Sequence, residues 1–309
     1  MPTAQYRTFK QYAGFVVRGD RPVEAPALTD PHVSWAFYIL SQMEASHWGT
    51  VQSYDGAGIS AGPLHAIAVS PSSKGQGSLW SLIATIFEQC PRGTSADVDA
   101  LRDFFGAHAM QVTVDGILVR KDNAKPVGGE DIRELVAARG GLVPASGPDF
   151  DRAQDVALLF NRVFSSPATY RAQKIYTIKW LLDGQREVEF NAYTKYSATK
   201  IAPSNMSNFL SYATGEQLGP YLDLAMCVYH AFTVNGPVPA ADELRKAMVA
   251  KTAREFAWKL IHGLGARNFG RWHDTTDNTS RYDHTRIAVT KAGRWPVSMI
   301  GEVMPESIG

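Results

Sequence analysis

The chain has 309 residues, is 45% apolar and is close to neutral, with 31 Lys and Arg against 30 Asp and Glu. That length holds one large domain or two modest ones, and so even a charge balance gives no global pull toward nucleic acid. No stretch approaches the roughly 18 uncharged apolar residues of a membrane span, and the opening MPTAQYRTFKQYAGFVV lacks the basic and apolar regions of a Sec signal peptide.

Residues 1–29, with Pro2, Pro22 and Pro26, read as a wrapping arm. Asp30 and Pro31 suit the cap and first position of a helix, predicting a helix to about His47 with Gly49 as its stop. Val33, Phe37, Leu40 and Glu44 fall on one face of it, so Glu44 shares an apolar stripe. Residues 50–68 read as a short strand, a tight turn and a second irregular strand. Leu79, Leu82, Ile83, Ile86, Phe87 and Cys90 form a helical stripe, and Ser95 can cap a short helix carrying Val98, Leu101 and Phe105. Residues Val112 to Val119 read as a hairpin around Asp115-Gly116. A helix over about 130–139 is expected to stop at Gly140-Gly141.

The second half is mostly helical in pattern. Asp149 can cap a helix through Val156, Leu159, Phe160 and Val163, and Ser166-Pro167 opens a longer one through Ile175, Ile178 and Leu182. Residues 204–214 suit a shorter helix, and Gly219-Pro220 opens one carrying Leu222, Met226, Tyr229 and His230. Residues 240–262 are periodic through Leu244, Met248, Phe256, Leu260 and Ile261, whereas the tail 264–309 is polar and without clear period. The Gly- and Pro-containing stretch 140–150 is the expected boundary, giving parts 1–145 and 146–309 of one bilobal domain. Cys90 and Cys227 lie in apolar helical patterns and read as buried thiols rather than a disulfide or a Cys-based zinc site. The expected class is α+β, mainly α-helical, with a small β element.

The segment Asp55-Gly-Ala-Gly-Ile-Ser-Ala-Gly62 carries the chemistry. Breaking a glycosidic bond needs an acid to protonate the leaving oxygen and a second carboxylate to steer a water or attack the sugar. The acid must stay protonated near neutral pH, which an apolar setting promotes; Glu44, with Phe37, Leu40, Met43 and Trp48 close in sequence, fits. Asp55, on a Gly-rich turn where Gly56 and Gly58 allow close backbone approach, fits the ionised partner, with the Ser60 hydroxyl placed to hold a water. The competing explanation is structural, since Asp-Gly is among the commonest turn dipeptides. Trp48 and Tyr54 are candidates to stack on sugar rings, with ordinary packing as the alternative. His47 and His65 flank the segment but lack the helical His-x-x-x-His spacing, so neither a metal nor a cofactor is expected; His65 is grouped with Trp48 and Tyr54 as a substrate contact. Residues 271–285 are dense in sugar-bonding groups, although a solvated loop has the same composition. No Walker loop, dinucleotide fingerprint or G-x-S-x-G elbow occurs.

Asp55-Gly-x-Gly-x-Ser-Ala-Gly62 resembles the D-G-x-G-[aromatic]-T-A-G segment of family 46 chitosanases. The order Glu44, Asp55, Ser60 is also similar to the Glu, Asp, Thr arrangement of phage-type lysozymes. The resemblance covers about residues 33–66; Ser60 replaces Thr, Ile59 replaces the aromatic residue, and the gap from Glu44 to Asp55 is nearer that of the phage lysozymes. It implies a two-lobed lysozyme-like fold with the β element at the active-site cleft and the helical second part as the opposite wall. It implies an inverting endo-glycosidase with Glu44 as general acid, Asp55 as general base and Ser60 in the place of the family Thr. The implied substrate is the glycan strand of peptidoglycan, as for an endolysin or muramidase, with chitosan as the alternative. A non-catalytic virion or carbohydrate-binding protein is the alternative of a different class. An enzyme of this kind is made in the cytoplasm and reaches an extracytoplasmic polysaccharide by release, injection or as a virion component.

Overall fold

The computed structural model describes residues 2–9, 12–53, 56–70, 75–136, 143–183, 187–201, 206–233, 237–268 and 281–306. Over these residues helices dominate, with two small antiparallel sheets, an α+β arrangement that is mainly α. The chain divides into two units, Met1–Val23 with Glu44–Thr177, and Glu24–Met43 with Ile178–Gly309. No described helix is long and apolar enough to cross a membrane.

The first unit begins with strands rather than the expected arm. Ala4 and Tyr6 are half-buried between exposed Gln5 and Arg7, the period-two alternation of a sheet edge. These residues form β1 (Ala4–Phe9), which pairs antiparallel with β2 (Tyr12–Val17) in the register Ala4↔Val17 to Phe9↔Tyr12. Lys10-Gln11 between them carries no Asn-Gly or Gly turn signal, which hid the hairpin. β3 (Val51–Gln52), β4 (Ser60–Ala61) and β5 (Ala66–Ile67) extend the sheet in the order β1-β2-β3-β4-β5. Two glycines permit the tight approach of β2 and its exit to the segment before and after β3. A Cβ on Gly14 would stand 2.2 Å from the Ser53 carbonyl oxygen, and one on Gly19 1.4 Å from that of Trp48.

Helices α2 (Leu79–Gln89) and α3 (Ala96–Ala107) follow the expected stripes, and Ser95 Oγ accepts from the Val98 amide at 3.5 Å. β6 (Met110–Val112) and β7 (Leu118–Arg120) form the expected hairpin. Helix α4 spans Gly129–Leu135, and the expected stop at Gly140-Gly141 lies outside the described residues. Phe15, Trp80, Ile83, Phe105, Phe160 and Phe164 are buried in one core. Helix α5 (Pro148–Ser165) packs on β2, β3 and α3, so the stretch near residue 145 lies inside this unit. The division falls instead at Thr177 and Ile178, within α6 (Pro167–Asp183). Gly147, not Asp149, occupies the cap position of α5; Asp149 sits in its first turn.

The second unit holds all but the last residue of α1 (His32–Glu44). That helix ends three residues before the expected His47, because Ser46 takes a left-handed φ of 56°. The Asp30 carboxylate accepts from the Ala27 amide. Helix α7 (Glu187–Tyr196), unread in the sequence, precedes α8 (Met206–Tyr212), α9 (Gly215–Leu218) and α10 (Pro220–Thr233). Helix α10 is buried from Leu222 to Phe232 and packs against α11 (Pro237–Ala247) and α12 (Ala253–Asn268). The single helix expected over 240–262 is thus two. Its break carries a helix-start signal, Thr252-Ala-Arg-Glu255: Thr252 Oγ1 accepts from the Glu255 amide, and the Glu255 carboxylate accepts from the amide of Lys251, the residue before Thr252. The tail contributes α13 (Arg281–Ala292) and α14 (Val297–Val303).

Candidate active site

Glu44 closes α1. Ten consecutive residues of that helix, His32 to Ser41, are buried, and Gln42, Met43 and Glu44 are half-buried. The apolar stripe that Glu44 continues is therefore one side of a helix buried all round. The chain beyond it is pinned within the first unit. The Ser46 carbonyl accepts from the Val23 amide, the Trp48 amide donates to Arg21, and the Thr50 carbonyl accepts from the Gly62 amide, each at 2.9 Å. Glu44 is thus followed by a fixed segment leading directly into β3.

The expected base, Asp55, and its neighbour Tyr54 lie outside the described residues. Both flanks of the pair are anchored. Before it, Ser53 donates its amide to the Phe15 carbonyl at 2.8 Å and accepts from the Phe15 amide at Oγ at 2.9 Å. After it, the Gly56 carbonyl accepts from Arg133 at 2.8 Å, and Arg133 also pairs with Glu130. Ser60 sits in β4 opposite Gln52 of β3 and Ile67 of β5, and is only 2% exposed. All of the segment that carries the expected chemistry, from Glu44 to His65, belongs to one unit.

The expected sugar contacts fare differently. Trp48 is 8% exposed and stacks on Tyr170, with ring centroids 4.6 Å apart at 19°, and the Arg21 guanidinium lies 5.2 Å from the Tyr170 centroid. One face of the indole is therefore given to packing. His65 sits in a tight turn with φ 48°, its amide donating to Gly62 and its Nε2 3.4 Å from the Gln52 amide nitrogen. His47 Nδ1 faces Ser46 Oγ at 2.8 Å and Arg18 Nη2 at 3.3 Å. Burial and then the Arg18 charge push the imidazole pKa down, against a smaller opposing effect of a backbone hydrogen bond at Ala45.

A second polar cluster, in the other unit, went unread. Asp223, Cys227 and His230 occupy one face of α10, at helical spacing. Asp223 Oδ1 accepts from His32 Nδ1 at 2.7 Å, and Oδ2 accepts from Arg294 Nε at 2.6 Å and Trp295 Nε1 at 2.9 Å. Cys227 Sγ is 3.6 Å from His32 Nδ1, and His32 Nε2 is 3.0 Å from the Tyr193 hydroxyl. Burial raises the Asp223 pKa, but His32 and Arg294 outweigh it and hold the carboxyl below its usual value. Burial, helped by His32, pushes His230 down to about 3. The readable signal was the i, i+4, i+7 spacing of Asp223, Cys227 and His230; His32 and Arg294 are too remote in sequence for any pattern to join them.

Comparison of the chain with protein-family models, with curated proteins and with solved structures found no match.

Proposed function

We propose that the chain is an inverting endo-glycosidase that cuts the glycan strand of peptidoglycan, with Glu44 as general acid and Asp55 as general base. The observation that carries this reading is the order of elements. A helix ends in Glu44, a pinned segment follows, and the antiparallel strands β3, β4 and β5 come next. Asp55 lies in the β3–β4 connection and Ser60 on β4. In this reading the stretch from Glu44 to β5 is the catalytic part of a lysozyme-like fold.

The chemistry follows from the two carboxyl groups. Glu44 gives its proton to the glycosidic oxygen as the bond from that oxygen to the sugar carbon breaks. A water attacks the same carbon from the opposite face and passes a proton to Asp55, leaving an inverted hemiacetal. Inversion leaves room for that water, with carboxyl groups about 6.5–9.5 Å apart. The Ser60 hydroxyl orients the water, in the place of the Thr of the families that the segment resembles.

Turbidity loss of purified cell walls, set beside reducing-end release from chitosan, tests substrate and activity together. Cell-wall lysis without chitosan cleavage is the expected result; the reverse moves the substrate to chitosan, and inactivity on both sinks the glycosidase reading. Glu44→Gln keeps size and shape, so it should abolish lysis with an unchanged circular dichroism spectrum. A variant that still lyses walls near the native rate removes Glu44 from the mechanism.

A further inference from the structure

We propose that His32, Asp223 and Cys227 form a structural zinc site in the second unit, joining the start of α1 to the middle of α10. Their donor atoms lie within 4.8 Å of one another and all three residues are buried. Imidazole, thiolate and carboxylate supply three of the four donors that a tetrahedral zinc takes, and a water completes the set.

The distances bear on the geometry. Zinc bonds of about 2.0–2.1 Å to nitrogen and about 2.3 Å to sulfur at a tetrahedral angle put the two donors about 3.6 Å apart. His32 Nδ1 and Cys227 Sγ are 3.6 Å apart. The nitrogen–oxygen edge should be about 3.3 Å, against 2.7 Å between His32 Nδ1 and Asp223 Oδ1. A carboxylate rotation of about half an ångström replaces that hydrogen bond by two metal bonds.

The surroundings supply the outer layer that metal ligands require. Asp223 Oδ2 keeps its bonds from Arg294 Nε and Trp295 Nε1, while Oδ1 exchanges its bonds from His32 Nδ1 and from Arg294 Nη2, 3.2 Å away, for the metal. Metal entry releases the Cys227 thiol proton to solvent, and the proton that His32 Nδ1 donates to Asp223 moves to Nε2. There the Tyr193 oxygen, 3.0 Å away, accepts it. Tyr193 then turns its own proton toward His230 Nε2 at 3.5 Å, and His230 is neutral because burial holds its pKa low. Cys227 is fully buried, with its Sγ beside the His32 ring.

The experiment is metal content and cobalt spectroscopy on the full chain, independent of any catalytic assay. Protein made in zinc-supplemented medium and dialysed should carry one zinc per chain. Cobalt added to metal-stripped protein should give a thiolate-to-cobalt charge-transfer band, and zinc should raise the thermal midpoint. Cys90→Ser should behave as the native chain, whereas Cys227→Ser should lose the band and the zinc-dependent shift. If Cys227→Ser fails to fold, the Cys90→Ser protein, in which Cys227 is the sole thiol, reads the band by itself. Folded native protein that shows no cobalt–thiolate band, or a Cys227→Ser variant that holds zinc equally well, overturns the site. Loss of the zinc site leaves the glycosidase reading standing, because cell-wall lysis is measured separately.

Discussion

Asp223 gathers four donated hydrogen bonds from His32, Arg294 and Trp295 while only 1% exposed. Removing its carboxylate leaves the Arg294 guanidinium, 5% exposed, without its counter-charge. Breaking one side of a buried pair costs about 3–5 kcal/mol, so Asp223→Ala should lower the urea midpoint by that amount of stability, and a loss below about 1 kcal/mol would show that the pair is relaxed by water. The same cluster sets a pH response. An unfolded His takes up a proton below about 6.5, whereas folded His230 refuses it until about 3. The unfolded chain therefore binds more protons across that window, and stability falls by about 1.4 kcal/mol per unit as pH drops through it. Asp223, held below its ordinary value, adds a loss of the same sign at still lower pH. Urea midpoints at pH 6.5 and pH 4.5 should separate for the native chain and converge for His230→Asn; equal slopes in the two proteins would remove His230 from the response.

Two glycines of opposite setting test the element packing. Gly19→Ala puts a methyl group into the Trp48 carbonyl, a backbone atom that cannot move aside cheaply, and should cost about 1–3 kcal/mol or more. Gly301 lies exposed inside α14 with nothing near its absent Cβ, so Gly301→Ala should gain about 0.5–1 kcal/mol from helix propensity. Thermal unfolding of both variants checks the signs; a neutral Gly19→Ala would mean that β2 and the Trp48 segment are not in close contact. The elements themselves were largely legible where they rest on local pattern. The stripes of α2 and α3, the Ser95 cap, the β6–β7 turn and the Gly219-Pro220 start of α10 all stand where residue spacing put them. The misses were of two kinds. The Thr252-Ala-Arg-Glu255 helix-start signal was written in the sequence and was overridden by a continuous apolar period. The β1–β2 hairpin had no turn signature to read, so only the pairing of the two strands reveals it.

Across the whole molecule a net charge of +1 supplies no long-range field to gather either a polycation or a polyanion. Lysis of purified walls should therefore depend weakly on ionic strength between low and physiological salt, and a steep fall would reveal a charged face concentrated near the site. The sequence by itself determined the mainly helical α+β class and most helix starts, because caps, turns and helical periods are written over a few neighbouring residues. Only the tertiary structure decided which residues those elements share. Trp48 packs on Tyr170, far along the chain, and His32 meets Asp223 across 191 positions. Residue 145 turns out to be interior to a unit, and α1 belongs to one unit while its last residue begins the second stretch of the other. Such choices depend on shape and charge matched between distant segments, and that matching leaves no periodic mark on the chain.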